Sequence, residues 1–343
     1  MTAPIYDLYA IGNALVDAEY DVSDALLQTA GVAKRHMTLI DAQGRAALLT
    51  HLQGHSARRT GGGSAGNTVV AMAQLGSRTF YSCRVADDEL GRFYAHDLRA
   101  NGVRSNLERG LAPTGQTGTC VVLVTPDAER SMSTFLGATA ELDASALDTH
   151  ALQSSRIYYM EGYLAASPTA LDAAVQGRRL AHQAGAQLAT TLSDVSMIRF
   201  CREGLQAMVG DAESGSLDYL FCNEEEAQVW CGSTDVADLC HGMAGLARAV
   251  CLTRSAKGSL VLEAGRVAEV PPQRVQALDT NGAGDMFAGA FLHAVTQGYA
   301  SADAAALANQ AAAKVVAQYG NRLSPAVLTT LWQDFTQRTV SNA

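Results

Sequence analysis

The 343-residue sequence predicts an α/β fold in which a mostly parallel sheet carries helices on both faces and a small β-sheet is appended. Short apolar runs alternate with longer helical patterns, which is typical of parallel strands covered by helices. Two segments, about 14–58 and 115–136, break this alternation with β-type stretches. The length suits one large core with an appendage. We therefore expect one domain over residues 1–343, with the two segments inserted as a lid.

Five strands of the large sheet are predicted from short apolar runs that stop at a polar residue or a glycine. The runs cover residues 8–11, 157–160, 188–192, 219–222 and 249–253. Helical patterns such as 168–184 and 224–230 lie between them. Strands and helices in this serial order predict a parallel sheet with helices on both faces.

A set of acidic and amide residues follows the predicted strand ends. The set is Asn13, Asp17, Glu161, Asp194, Asn223 and Glu226. In open α/β sheets, ligands bind beyond the carboxyl ends of the strands. Any one of these residues could instead cap a helix or close a turn. Together they predict a binding site on one rim of the sheet.

The lid segments are predicted to pair as a separate small sheet. Residues 118–125 form an apolar β-type run, and Pro126-Asp127-Ala128-Glu129 provides a turn before a second run. Two such runs around a short turn predict a hairpin. An appendage on the ligand-binding rim can close over a bound ligand.

Composition and charge exclude several classes of protein. Apolar residues make up 48% and charged residues 17%, which excludes intrinsic disorder. A net charge of −9 disfavours nucleic acid as a partner. The seven cysteines include no CxxC pair, so we expect neither a metal scaffold nor disulfides. No apolar stretch is long enough to span a membrane, and the first residues lack a basic region, so we expect no membrane partner and a cytoplasmic location.

The first glycine-rich motif is GGGSAGN at residues 61–67, before a predicted helix that runs to Leu75 and stops at Gly76. Small residues let a ligand approach the backbone closely, and Asn67 is placed to hydrogen-bond it. The alternative is a loop that needs glycine only for its dihedral angles. The motif lacks the spacing, the preceding strand and the downstream acid of a dinucleotide-binding fingerprint.

The second motif, DTNGAGD at residues 279–285, precedes a buried helix that we expect to start near Gly282. Backbone N–H groups in a first helical turn have no intrahelical partner and form an anion pocket suited to a transferring phosphoryl group. Asp285 in that turn can take a proton from an attacking hydroxyl. An isolated acid there would more simply complement the helix dipole, but the small residues beside it leave space for a ligand. Walker A and protein-kinase motifs are absent from the sequence.

Both motifs resemble signatures of the ribokinase/PfkB carbohydrate kinase family. Further segments resemble its bacterial adenosine-kinase-like subgroup: 11–17, 37–41, 117–120, 135–138, 161–164 and 192–194. The resemblance implies a doubly wound α/β core with a β-sheet lid. It also implies ATP- and Mg²⁺-dependent phosphorylation of a hydroxymethyl group on a small-molecule sugar or nucleoside. Lid sheets in this family sometimes pair into dimers, so the oligomeric state stays open between a monomer and a homodimer.

The resemblance assigns roles to individual residues. It makes Asp285 the catalytic base and the amides of Gly282, Ala283 and Gly284 the anion hole. It places the substrate at Asn13, Asp17, Gly62, Gly63, Asn67 and Glu161. It places the nucleotide at Asp194, Asn223, Thr253, Arg254, Gly258 and Asn309, and Mg²⁺, through water, at Asn223 and Glu226. Asp279, with the loop near Gly320 and Ser324, resembles the region that holds a monovalent cation such as K⁺ in some members.

Three functions stay open from the sequence. The first is a small-molecule kinase acting on a ribonucleoside, adenosine before others, or on a free sugar such as ribose or fructose. The second is a nucleotide-binding regulator without chemistry, and the third, disfavoured, is a dinucleotide-dependent oxidoreductase. The lid carries no base-recognition motif, although Met37, Leu39, Tyr163 and Leu164 could either wall a base or only pack the lid. Arg254 and Lys257 suit a polyphosphate, and Ser255 stands where the family often has glycine.

Overall fold

The large sheet is mostly parallel, as predicted. The computed structural model describes residues 4–34, 36–127, 129–210 and 216–341. Within these residues nine strands form the sheet, in the spatial order β14 (Arg266–Val270), β13 (Ser259–Glu263), β12 (Ala247–Thr253), β11 (Leu217–Asn223), β10 (Gln187–Thr191), β9 (Ser155–Met160), β1 (Tyr6–Ile11), β5 (Thr79–Ser82) and β6 (Arg104–Ser105). All neighbours from β12 to β6 pair in parallel, while β13 and β14 form an antiparallel edge.

Helices cover both faces of this sheet. One layer contains α3 (Ser64–Gln74), α4 (Glu89–Ala100), α11 (Ala283–Thr296), α12 (Ser301–Val316) and α13 (Pro325–Ser341). The other contains α5 (Thr149–Gln153), α6 (Pro168–Gln183), α7 (Val195–Phe200), α8 (Arg202–Val209), α9 (Glu224–Cys231) and α10 (Val236–Met243). Short 3₁₀ turns lie at Asn106–Arg109, Gly137–Glu141, Ala144–Ala146, Gly162–Ala166 and Ser255–Lys257.

Burial on both faces explains why the strand sequences are continuously apolar. In β1, Leu8 and Ala10 pack into one helix layer, while Tyr9 and Ile11 pack into the other. Side chains alternate along a strand, so a strand covered on both faces needs apolar residues at every position. All five predicted strands are present, and β1 begins at Tyr6, before the predicted start.

A second sheet stands beside the first and is built from the two segments predicted as a lid, together with residues 58–62, which extend past the predicted bound of 58. Its strands lie in the order β3 (Met37–Leu39), β8 (Arg130–Phe135), β7 (Gly118–Val124), β2 (Leu15–Asp21) and β4 (Arg58–Gly62). Strands β7 and β8 pair antiparallel, as the predicted hairpin requires. The backbone N–H of Thr125 donates to Glu129 O across the turn, and Ala128 of the predicted turn lies outside the described residues.

Two helices in the first lid segment were not predicted. They are α1 (Asp24–Thr29) and α2 (Ala42–His51). The one buried side chain in α1 is Leu27, and in α2 it is Leu48. Because so few positions are buried, neither helix shows a clear apolar periodicity in the sequence. Both helices cover one face of the second sheet, where they share an apolar cluster with Ala18 and Tyr20 of β2. Alternation along β2 turns Asp17 and Glu19 to the opposite face, toward the large sheet. No helix among the described residues is both long and apolar enough to cross a membrane.

Candidate active site

Helix α11 presents its first turn to an open cleft. Gly282 is the N-cap, with a φ of 75° in the left-handed region, and the helix starts at Ala283. A Cβ on Gly282 would lie 2.8 Å from backbone atoms of Asn321, so glycine is needed there. The expected first turn thus begins one residue later than Gly282. A Cβ on Gly284 would meet no atom within 4 Å, so there is open space beside the backbone of the first turn of α11.

Asp285 lies in this first turn and is held by two side chains of α3. Ser64 Oγ donates to Oδ1 at 2.6 Å, and Asn67 Nδ2 donates to Oδ2 at 3.0 Å. Burial raises the pKa of Asp285 to about 6, and the bonds from Ser64 and Asn67 oppose that rise. The carboxylate is therefore mostly ionised at neutral pH yet basic enough to accept a proton from a hydroxyl.

Asp17 faces the same cleft from β2. Its Oδ2 accepts from Asn321 Nδ2 at 2.7 Å. Burial raises its pKa to about 7, partly offset by the charges of Arg322 and Arg130. A Cβ on Gly62 would collide with this carboxylate. The absence of a side chain at Gly62 therefore leaves room for the Asp17 carboxylate. The glycines of this motif are needed for this space as well as for the dihedral angles of the loop.

Asn13 is fixed at the end of β1 by three contacts. Its backbone N–H donates to Glu161 Oε1 at 2.8 Å, and its carbonyl accepts from Tyr81 OH at 3.0 Å. Thr139 Oγ1 donates to Asn13 Oδ1 at 3.3 Å. Gly63 has a φ of 87°, and a Cβ there would collide with the Asn13 carbonyl. The geometry therefore brings Asn13 and Asp17 together with the glycine-rich loop.

Glu161 accepts hydrogen bonds from two backbone segments of this rim. It is fully buried, and its second oxygen accepts from the backbone N–H of Ala65 at 2.7 Å. Burial raises its pKa to about 7, against the two backbone hydrogen bonds from Ala65 and Asn13. Because both oxygens are taken by backbone donors, Glu161 joins the end of β1 to the start of α3.

Asn223 and Glu226 contact each other at the start of α9. Asn223 Oδ1 accepts from the backbone N–H of Glu226 at 2.8 Å, while Glu226 Oε2 accepts from the backbone N–H of Asn223 at 3.1 Å. This reciprocal pair is a capping box. Burial raises the pKa of Glu226 to about 7, and the charge of Asp194 adds to the rise. Asp194 itself caps α7 by accepting from the backbone N–H of Ser196 at 2.6 Å.

The loop after β12 carries two cations that share one acid. Arg254 Nε and Lys257 Nζ each lie 3.1 Å from a carboxylate oxygen of Glu224, a pairing that the sequence did not indicate. Ser255 has a φ of 50°, which explains why glycine would suit that position. Gly258 has a φ of 86°. Thr253 Oγ1 donates to Cys222 O at 3.4 Å, and Asn309 Nδ2 donates to Pro271 O at 3.1 Å.

Asp279 is joined to the second sheet by an ion pair. Its carboxylate pairs with Arg130 of β8, which also pairs with Glu19 of β2. It further accepts from the backbone N–H groups of Asn281 and Gly320, each at 3.0 Å. The guanidinium of Arg130 thus stands beside the carboxylate that the resemblance assigned to a monovalent cation. Among the described residues, no group of three or more His, Cys, Asp or Glu side chains could hold a metal ion.

A cavity of about 460 Å³ lies among β3, the start of α2, the end of β8 and the 3₁₀ turn Gly137–Glu141. It is lined by Leu39, Ile40, Ala42, Gly115, Gln116, Phe135, Leu136, Gly137, Ala138, Ala140 and Glu141. Thr139, which contacts Asn13, belongs to the same segment. Of the four apolar residues proposed as a wall, Leu39 lines this cavity, whereas Leu164 is buried in the core of the large sheet.

Several contacting residues were missed from the sequence. They are Ser64, Arg130, Thr139, Asn321 and Arg322. Ser64 lies inside the GGGSAGN motif and could have been found from its position one helical turn before Asn67. The other four carry no local signal, because they reach the site from distant parts of the chain.

Comparisons with known proteins agree with this architecture. The model of the family described as "pfkB family carbohydrate kinase" matches residues 33–327 of this chain. An adenosine kinase of Schizophyllum commune is 27% identical over 320 residues, covering 85% of this chain and 90% of that protein. The solved structure of an adenosine kinase from Sinorhizobium meliloti is 36% identical, with a TM-score of 0.84 and coverage of 96% of this chain and 99% of that one. A probable sugar kinase from Rhizobium etli CFN 42 is 33% identical, with a TM-score of 0.86 and coverage of 98% and 99%.

Proposed function

Because the chain belongs to the pfkB family of carbohydrate kinases, we propose that it transfers the γ-phosphoryl group of ATP to the hydroxymethyl group of a ribonucleoside, with adenosine the first acceptor to test. One observation carries the proposal most strongly. The half-buried carboxylate of Asp285 lies in the first turn of α11, next to Gly284, whose added Cβ would meet only open space. That arrangement places a base and an anion-binding cradle at one point, as phosphoryl transfer to an alcohol requires.

In the proposed reaction, Asp285 takes the proton of the acceptor hydroxyl as its oxygen attacks the γ-phosphorus in line. The new O–P bond forms while the bond to the bridging oxygen breaks, and ADP leaves with that oxygen. The N–H group of Gly284, with the helix dipole, stabilises the charge on the transferring group. The N–H of Ala283 donates to Thr280 O at 3.4 Å in the free protein and can turn to the phosphoryl group when it binds. The side chains of Ser64 and Asn67 hold the base in place through their bonds to its two oxygens.

The residues present fit ATP and Mg²⁺. The open helix start accommodates phosphate, and the loop after β12 adds Arg254 and Lys257, which Glu224 holds in position. Mg²⁺, bound mainly by phosphate and water, would neutralise phosphate charge near Glu226 and Asn223. The fit to a monovalent cation is poor, because Arg130 already pairs with Asp279. No step of the proposed reaction uses such a cation.

The acceptor's sugar is assigned to Asn13, Asp17 and Asn67. In its ionised form, the Asp17 carboxylate can accept from two neighbouring hydroxyls, and this contact is the same for a nucleoside and a free sugar. The apolar cavity supports the nucleoside, because it is lined by the 3₁₀ turn whose Thr139 contacts Asn13, and a base attached to the sugar would have a space nearby. A free-sugar kinase is the second candidate, favoured by the likeness to the Rhizobium etli protein.

A competition assay tests the acceptor. Adenosine, inosine, ribose and fructose are supplied at equal concentrations with ATP and Mg²⁺, and each product is quantified. We expect adenosine to show the highest kcat/KM. A free sugar with a higher kcat/KM than both nucleosides would overturn the nucleoside assignment, and no ADP release with any acceptor would favour the silent nucleotide-binding regulator.

A cavity-filling variant tests whether the cavity holds the base of a nucleoside. Ala140 is exposed and lines the cavity, so Ala140→Phe should lower kcat/KM for nucleosides by about tenfold, the size of a lost apolar contact, and leave that for ribose unchanged. The matched control is Ala237→Phe, at an exposed position of α10 that does not line the cavity. Equal losses for adenosine and ribose would show that the cavity does not hold the base.

A further inference from the structure

Arg322 contacts two polar side chains, one of which contacts the proposed base. It follows α12 in the chain, and its side chain is 11% exposed. Its Nε donates to Asn67 Oδ1 at 3.0 Å, and its Nη1 donates to Asp97 Oδ2 at 2.6 Å. Asn67 in turn donates to Asp285. A continuous chain of contacts therefore runs from Asp97 through Arg322 and Asn67 to Asp285.

The direction of these bonds is fixed by chemistry. A guanidinium has donors and no acceptor, so it can contact Asn67 only through the amide oxygen. The amide NH₂ must then point the other way, toward Asp285. An ionised carboxylate has acceptors only, so this is the orientation that Asp285 needs. Without Arg322 the amide could rotate and present its oxygen to the carboxylate, which would repel it.

The charge of Arg322 matters because acidic groups surround Asp285. Its charge lowers the pKa of Asp285, against the larger effect of burial. Two carboxyl groups interact with Asp285, Asp17 on β2 and Glu161 after β9. The hydroxyls of Tyr159 and Tyr163 also interact with it, and burial raises their pKa values, so they stay neutral and supply no positive charge. Arg322 is also the charge that most lowers the pKa of Asp17.

We propose that Arg322 is a positioning residue for the proposed base, fixing the amide of Asn67 and supplying the compensating charge, with Asp97 holding Arg322 in place. The proposal rests on the proposed function of Asp285. Its neighbour Asn321 donates to Asp17, so one loop serves both carboxylates of the cleft. A Cβ on Gly61 would collide with Asp97 and lie 3.0 Å from Arg322 Nη2, so the first glycine of the motif leaves room for the ion pair.

The direct test is the pKa of Asp285 by ¹³C NMR titration of Asp-labelled protein, with its signal assigned from Asp285→Asn. We expect Arg322→Met to raise that pKa by at least about one unit, because an opposite charge nearby typically lowers a carboxyl pKa by 1–3 units. Arg322→Lys should give a smaller rise. The control is Arg92→Met, which removes an exposed arginine that pairs with Asp87, and it should leave the pKa of Asp285 unchanged.

Kinetics give a second readout. In Arg322→Met the acid limb of kcat/KM should move to higher pH by the same amount, so for a one-unit shift activity at pH 6 falls by about fivefold while activity at pH 8.5 falls by less than about threefold. A uniform loss at all pH values, with the pKa of Asp285 unmoved, would overturn the proposal. A purely structural role would give that uniform loss.

Two further variants cover a folding failure. If Arg322→Met does not fold, Arg322→Gln and Arg322→Lys must each raise the pKa of Asp285, and an unchanged value in both overturns the proposal. The NMR titration needs no substrate. If no acceptor is phosphorylated while the pKa still shifts, the proposed function fails and the electrostatic role of Arg322 stands.

Discussion

Replacing Gly284 by alanine should stabilise the protein and inactivate it. Gly284 lies in the first turn of α11, and an added Cβ would meet no protein atom within 4 Å. The substitution therefore creates no clash in the free protein. The methyl group would instead enter the space in which the transferring phosphoryl group is proposed to bind.

Both magnitudes follow from this geometry. A Gly→Ala change at a compatible helical position stabilises a protein by about 0.4–1 kcal/mol, which raises Tm by about 1–3 °C in a chain of this size. The methyl group keeps the phosphoryl group away from the N–H groups at the helix start, and loss of one such contact to a developing charge typically lowers kcat by about 10²–10³-fold. We expect a loss in that range for Gly284→Ala, with a normal or raised Tm.

The assay measures ADP release with saturating ATP, Mg²⁺ and acceptor, and Tm by differential scanning calorimetry. The control is Gly245→Ala, since a Cβ on Gly245 also meets no atom within 4 Å and the residue lies in the turn after α10. It should leave kcat unchanged. If Gly284→Ala keeps near wild-type kcat, the space beside α11 is not the phosphoryl site.

Three further predictions concern Mg²⁺, monovalent cations and pH. Glu226→Gln should raise the Mg²⁺ concentration for half-maximal rate and leave acceptor KM unchanged; a collapse of acceptor affinity alone would contradict this. Because Arg130 already pairs with Asp279, replacing KCl by tetramethylammonium chloride should change kcat by less than about twofold, and a tenfold loss would refute the reasoning. Burial lowers the pKa of His293 to about 4, below its unfolded value, so its contribution is full above about pH 6.5 and falls as the pH drops toward 4. In guanidinium denaturation between pH 7.5 and 5, wild type should therefore lose about 2 kcal/mol more than His293→Phe, and equal losses would contradict a buried neutral imidazole.

The fold was largely predictable because its signals are local. Both faces of the large sheet are covered, so each central strand is a continuous apolar run, and β7 and β8 flank a turn that contains Pro126 and Asp127. Helices α1 and α2 escaped prediction because each packs onto the second sheet largely through one leucine. Their helical structure depends more on tertiary packing than on pattern.

The site was only partly predictable for the same reason. The motif at residues 279–285 indicated Asp285 and an anion pocket, since a helix start is visible in the sequence. The contact between Asn67 and Arg322 joins two distant parts of the chain, and no local pattern marks it. Likewise, Arg254 and Lys257 look like free charges in the sequence, although both pair with Glu224 in the fold.

The most direct test of the central claim compares wild type with Asp285→Asn. Phosphorylation of adenosine is followed by ADP release, and ATP binding is measured by calorimetry on the same samples. A general base typically contributes about 10²–10⁴-fold, so turnover should fall by at least about 10²-fold while the Kd for ATP stays nearly unchanged. Near wild-type turnover by Asp285→Asn would contradict the assignment of Asp285 as the base.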